Sequence, residues 1–153
     1  MAAVRKATVN WEGDLASGQG RLDAGTSGAF SDLAVSWASR TESADGRTSP
    51  EELLAGAHAS CFSMAFSSEL TKAGSPPEHL EVTAEVTFDR VEGKWTVVAS
   101  RLSVRGRVSG LTEDRFRALA EQAKDGCPIS RALAGNVTLT VEAALEQPIA
   151  HGH

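Results

Sequence analysis

The sequence predicts a single α+β domain in which antiparallel sheets surround a buried central helix. Three observations carry this. Alternating apolar and polar runs, the signature of half-buried strands, occur near both ends of the chain. One long segment of small residues between them opens with a strong helix start. No internal repeat, linker or low-complexity tract divides the 153 residues, so one domain over 1–153 is expected, with about 146–153 as a loose tail.

The elements follow in order. "KATVNWEG" reads as a strand, and the glycine-rich "GDLASGQGRL" as a hairpin link into the next. "FSDLAVSWASRTES" predicts a third strand that ends near Arg40. The polar turn "SADGRTSP" then leads into the helix. Hydroxyls at Thr48 and Ser49, Pro50 in the first turn, and Glu51 and Glu52 at the positive end predict a helix running to about Ala73. "LEVTAEVTFDRV" and "KWTVVASRLSVRGRV", joined through "EGK", read as a long antiparallel hairpin. "SGLTEDRFRALAEQAKDG" predicts a second helix capped by Thr112 and ended at Gly126. "CPISRAL" predicts a short third one with Cys127 near its cap, and "NVTLTVEAAL" a closing strand.

Composition narrows the function classes. The chain is 41% hydrophobic and 23% charged, ordinary for a globular protein, and its net charge of -5 disfavours a nucleic-acid or anionic-membrane partner. No apolar run approaches the roughly 20 residues of a membrane span. "MAAVRKATVNWEG" lacks the apolar stretch of a secretory signal, so a cytoplasmic location is expected. There, cysteine pairs are more often catalytic or redox-active than structural.

The chain holds two cysteines, Cys61 inside "SPEELLAGAHASCFSMAF" and Cys127 in "KDGCPIS". Inert packing, a crosslink, a metal site and a reactive pair all remain open on the residues alone. Cys61 shares its helix face with Leu54, Ala57, His58, Met64 and Ala65. At a helix N-terminus, backbone N–H groups and the dipole stabilise a thiolate, so local chemistry favours Cys127 as the more reactive thiol; Cys61 would need an external cation. His58 and Cys61, three apart, are only two metal ligands, and only Cys127, His151 and His153 can add to them, so no metal is expected. "SGQG" reads as a hairpin turn more readily than as a phosphate cradle, and no serine nucleophile elbow occurs. Trp11, Trp37 and Trp95 are expected in strands, as core or cleft walls.

Taken together, "WEGDLASGQG", "SPEELLAGAHASCFSMAF" and "KDGCPISRAL" resemble the OsmC branch of the OsmC/Ohr family of organic hydroperoxide peroxidases. The likeness covers nearly the whole chain and is weakest over 21–38. His58 in "GAHASCF" is similar to the OsmC branch, where the Ohr branch usually carries an aromatic. The resemblance implies a thiol peroxidase that reduces alkyl and lipid-like hydroperoxides in oxidative or osmotic stress defence. It implies Cys61 as peroxidatic and Cys127 as resolving, which reverses the preference from local chemistry. It also implies an arginine that activates the thiol, matched by Arg40 with Arg47 as competitor, and Glu51 to orient it. No bound cofactor is expected, only an external dithiol reductant of lipoyl type. Cleft walls of Phe62, Phe66 and Trp37 are expected to favour organic peroxides.

A homodimer with composite sites is expected on two grounds. The family members are intertwined dimers. In addition, Glu51 and Cys61 are ten residues apart, or about 15 Å along a continuous helix, so the Arg–Glu pair that the resemblance implies is better placed to serve a partner's thiol. Two rival readings remain: a stoichiometric cysteine-based redox sensor, and a binding module for a lipid-like ligand with the cysteines as packing.

Overall fold

The computed structural model describes residues 1–146 and contains two compact units, Met1–Leu53 and the chain from Leu54 onward. The expected tail, with His151 and His153, lies outside the described residues. Among the described residues no helix is long and apolar enough to cross a membrane.

In the first unit, β1 (Thr8–Glu12), β2 (Gln19–Asp23) and β3 (Leu33–Val35) form an antiparallel sheet in that order. The β1–β2 link is tied by Asp14, whose carboxylate accepts from the Ser17 backbone N–H and hydroxyl at 2.8 and 2.7 Å. This is the turn expected of "SGQG", which supplies its end and the start of β2.

The third strand departs from expectation. It stops at Val35, and Trp37–Thr41 forms a short helix, α1, so both Trp37 and Arg40 are helical. The cause is a reciprocal cap: Ser36 Oγ accepts from Ser39 N, and Ser39 Oγ accepts from Ser36 N, both at 3.1 Å. Such a box satisfies two backbone donors that a strand would have paired elsewhere.

The long helix α2 spans Pro50–Lys72, close to the predicted bounds. Ser49 caps it, its hydroxyl accepting from Glu52 N at 3.1 Å. In the second unit its buried stripe is His58, Phe62, Phe66 and Leu70, one residue every four. Gly56, Ala57, Ser60, Met64 and Ser68 on the other side are exposed. Within one chain the helix is thus buried on one face, where burial all round was expected; the small residues that suggested full burial line the open face.

The second sheet runs β4 (His79–Val91), β5 (Lys94–Arg107), β6 (Thr138–Leu145). The β4–β5 hairpin turns through Glu92 and Gly93, both with positive φ, as a two-residue hairpin turn requires. Here the expectation of purely antiparallel sheets is corrected, because β6 pairs with β5 in parallel. Two helices intervene, α3 (Glu113–Gly126) and α4 (Pro128–Leu133), and a crossover of that length brings the chain back to run parallel.

Phe62, Phe66, Leu70, Leu102, Val104, Phe116, Leu119, Ala120, Ala123 and Cys127 form this unit's core. Phe66 sits between Phe62 and Phe116, with ring centroids 5.4 and 4.9 Å away. Phe62 and Phe66 are therefore core residues, not the cleft walls expected of them, because the four-residue spacing aims both at the sheet. Gly106 on β5 makes room for α3: a Cβ there would come within 2.6 and 2.8 Å of the Phe116 ring. Gly106→Ala is expected to destabilise the fold by about 1–3 kcal/mol, through overpacking against Phe116. Urea unfolding checks this; an unchanged midpoint would contradict it.

Candidate active site

Each expected pair of site residues is formed. In the first unit the Arg40 guanidinium donates to Glu51 from Nε at 2.9 and 3.2 Å and from Nη2 at 3.1 Å. Two-pronged, charge-assisted contacts of this kind fix the plane of the guanidinium as well as its place. The Glu51 side chain is 10% exposed and that of Arg40 30%. Arg40 also lies over the Trp37 ring, 5.8 Å from its centroid, from the neighbouring turn of α1.

The chain positions this pair through local hydrogen bonds. Thr48 N donates to Ala34 O at 2.9 Å, and Ser39 Oγ donates to Thr48 O at 2.8 Å. These bonds fasten α1 and the end of β3 to the residue preceding the Ser49 cap. Arg47 sits in the turn after Asp45 and Gly46, with its backbone N–H bonded to Ala44 O. The Glu51 carboxylate is held by Arg40.

Beside Arg40 is an apolar cavity of about 360 Å³ within this unit, whose wall includes Val9, Trp11, Leu15, Leu22 and Trp37. Trp11 and Trp37 both line a cleft, one of the two roles expected of them; the aliphatic contributions were not foreseen. Trp11 pairs with Gly20 across β1 and β2. A Cβ at Gly20 would come within 2.9 Å of the Trp11 ring and 2.7 Å of Val35, so glycine leaves the indole room to lie across the sheet.

The second unit brings the two thiols together. The Cys61 side chain packs against the core beside Cys127, close enough for the two thiols to interact, and the backbone N–H of Ile129 also bears on the Cys61 sulfur. Cys127 is the N-cap of α4, with Pro128 in the first turn, and is fully buried. Burial first, and then the interaction with Cys127, push the Cys61 thiol above its ordinary range; the Ile129 N–H opposes this in part.

His58, one turn before Cys61, is fully buried with both ring nitrogens engaged: Nδ1 lies 2.6 Å from Ser100 Oγ and Nε2 2.8 Å from Ser130 Oγ. Burial lowers its pKa and keeps it neutral. With both nitrogens held by hydroxyls it has no lone pair to offer a metal beside Cys61. Among the described residues no group of three or more His, Cys, Asp or Glu side chains is placed to hold an ion. Ser100 and Ser130 had no signal in the sequence, since each is a lone serine far from His58 in the chain.

Comparison with known proteins agrees with these features. Residues 42–142 match the family model described as "OsmC-like protein". The chain is 35% identical to peroxiredoxin OsmC of Escherichia coli K12 over 139 residues, 91% of this chain and 96% of that protein. It is 30% identical to the organic hydroperoxide resistance protein OhrA of Bacillus subtilis over 114 residues, 74% of this chain and 79% of that one. The fold matches the crystal structure of OhrB of Bacillus subtilis with a TM-score of 0.71 at 24% identity, covering 91% and 98% of the two chains. An OsmC structure from Legionella pneumophila gives 0.68 at 24% identity, over 94% and 99%. With the family model matched over residues 42–142 and 35% identity along nearly the whole of peroxiredoxin OsmC, this chain belongs to the OsmC family.

Proposed function

We propose that the chain is a peroxidase-type oxidoreductase that reduces organic hydroperoxides to alcohols, with Cys61 as the attacking thiol and Cys127 as the resolving one. The observation that carries this is the proximity of the two thiols, 66 positions apart in sequence, at the start of α4. The names of the relatives support the substrate class: a peroxiredoxin and an organic hydroperoxide resistance protein. The apolar cavity beside Arg40 suits an alkyl or lipid-like tail.

The chemistry balances in three steps. The Cys61 thiolate attacks the outer peroxide oxygen; the O–O bond breaks, sulfur is oxidised to a sulfenic acid, and the alkoxide takes a proton to leave as alcohol. The Cys127 sulfur then attacks the sulfenic sulfur, forming the disulfide and releasing water. An external dithiol, of lipoyl type in our reading, returns both thiols by exchange and is itself oxidised to a disulfide. A cytoplasmic location suits this cycle, since thiol reductants are held there.

Arg40 is the activating cation in this scheme and Glu51 its orienting partner. A guanidinium near Cys61 favours the thiolate and stabilises the departing alkoxide. We assign it to the opposite protomer of a homodimer. Support comes from about 15 Å of helix between Glu51 and Cys61, and from the exposed small-residue face of α2, suited to close packing against a second copy.

Two outcomes are expected. With an alkyl hydroperoxide and dihydrolipoamide, the wild type turns over many times and Cys61→Ser loses turnover, as steady-state peroxide consumption would show. A single stoichiometric oxidation would favour a redox sensor, and no consumption with both thiols free would favour a binding module. The second outcome concerns pH. Burial and Cys127 raise the Cys61 thiol, and the cation of Arg40 pulls it back down; removing the cation therefore moves its ionisation to higher pH. Arg40→Gln is expected to shift the pH profile of Cys61 alkylation in the alkaline direction, and to slow peroxide reduction at neutral pH by about 100-fold or more. An unshifted profile would contradict the role of Arg40.

A further inference from the structure

The most deeply buried polar cluster in the second unit takes no part in the cycle above. His58, Ser100 and Ser130 are 0%, 0% and 2% exposed, and the imidazole bridges the two hydroxyls, one on β5 and one on α4. A neutral imidazole has one N–H and one lone pair, so one serine accepts from it and the other donates to it. Polar groups so fully enclosed cost desolvation, and a satisfied network of this kind chiefly fixes the relative placement of the elements it joins.

What it fixes is the turn that carries Cys127. His58 precedes Cys61 by three residues on α2, and Cys127 precedes Ser130 by three at the start of α4. Residues three apart are neighbours on a helix face. Two one-turn pairs therefore meet: thiol with thiol, and imidazole with hydroxyl. With only six residues, α4 has little stability of its own, and the Cys127 side chain makes no capping bond that would hold it. Closing a disulfide is geometrically demanding, with Cα atoms about 5.5–6 Å apart and a dihedral near 90°. A first turn of α4 free to drift would leave the second sulfur out of line.

We propose that His58 and Ser130 form a positioning clamp that holds Cys127 in line with oxidised Cys61, and so govern the rate of disulfide closure without taking part in peroxide reduction. The step they serve is attack of the Cys127 sulfur on the Cys61 sulfenic acid: the S–S bond forms, the S–OH bond breaks, and hydroxide leaves with the thiol proton as water. This builds on the roles proposed above for the two cysteines.

Two amides separate the two halves of the imidazole. Glutamine reaches the place of Nε2, facing Ser130, whereas asparagine reaches only that of Nδ1, facing Ser100. Reduced protein would be mixed with one equivalent of cumene hydroperoxide in a rapid-mixing experiment, with sulfenic acid captured by a 1,3-diketone and disulfide followed by mass. His58→Asn and Ser130→Ala are expected to form sulfenic acid within about threefold of the wild-type rate yet close the disulfide at least about tenfold more slowly, while His58→Gln stays near wild type. Wild-type closure rates in His58→Asn and Ser130→Ala would overturn the clamp, as would equal loss of both steps in all three variants. If His58→Asn does not fold, Ser130→Ala, which removes a single oxygen, decides the matter. A wild type that forms neither sulfenic acid nor disulfide would overturn the cysteine roles themselves, a result distinct from failure of the clamp.

Discussion

The approach of the Cys61 and Cys127 thiols joins the middle of the long helix to the N-cap of α4, and the packing of the second unit keeps them there. On α2 the stripe His58, Phe62, Phe66 and Leu70 is driven into the core, which leaves Cys61 at the stripe's edge, partly buried. On the other side, α3 lays Phe116, Leu119, Ala120 and Ala123 into the same core and ends against Cys127, whose N–H bonds to Ala123 O at 2.9 Å. Pro128 cannot extend the chain as a continued helix, so a new one starts there with its Ile129 N–H directed at Cys61. Gly106, by admitting the Phe116 ring, sets how closely α3 approaches the sheet and hence where Cys127 falls.

The electrostatics divide along the same lines. Burial opposes the thiolate of Cys61, while the group best suited to relieve that cost, the Arg40 guanidinium, is built in the first unit and aimed by Glu51. In the proposed dimer each protomer gives its thiols to one site and its Arg–Glu pair to the other, so that assembly supplies the cation. In the same proposal the apolar cavity beside Arg40 takes the substrate's tail, next to the side chain assigned to the departing oxygen.

Much of this was legible in the residues. Thr48, Ser49, Pro50 and the two glutamates mark the start of α2 through chemistry local to five positions, and the β4–β5 hairpin shows in two long alternating runs about the "EGK" link. The two cysteines and the Arg40–Glu51 pair were expected from the resemblance, and each pair is in contact. Features that depend on non-local packing were not legible. The helix at Trp37–Thr41 rests on a two-serine capping box inside a run that otherwise alternates like a strand. The parallel pairing of β6 follows from the two helices before it, not from its own sequence. Phe62 and Phe66 were expected in a cleft as apolar side chains suited to an organic peroxide, and only the sheet opposite them decides that they are core. Ser100 and Ser130 carry no local mark at all; burial beside His58 gives them their part.

Mixed dimers test the central claim, that Arg40 of one protomer serves Cys61 of the other. Arg40→Gln and Cys61→Ser chains, each inactive alone, would be unfolded, mixed in equal amounts and refolded together. Random pairing puts half the chains in heterodimers with one intact composite site, so the account predicts recovery of about a quarter of wild-type turnover. No recovery, with heterodimers shown to be present by mass, would place the cation and thiol of each site on the same chain and contradict the account.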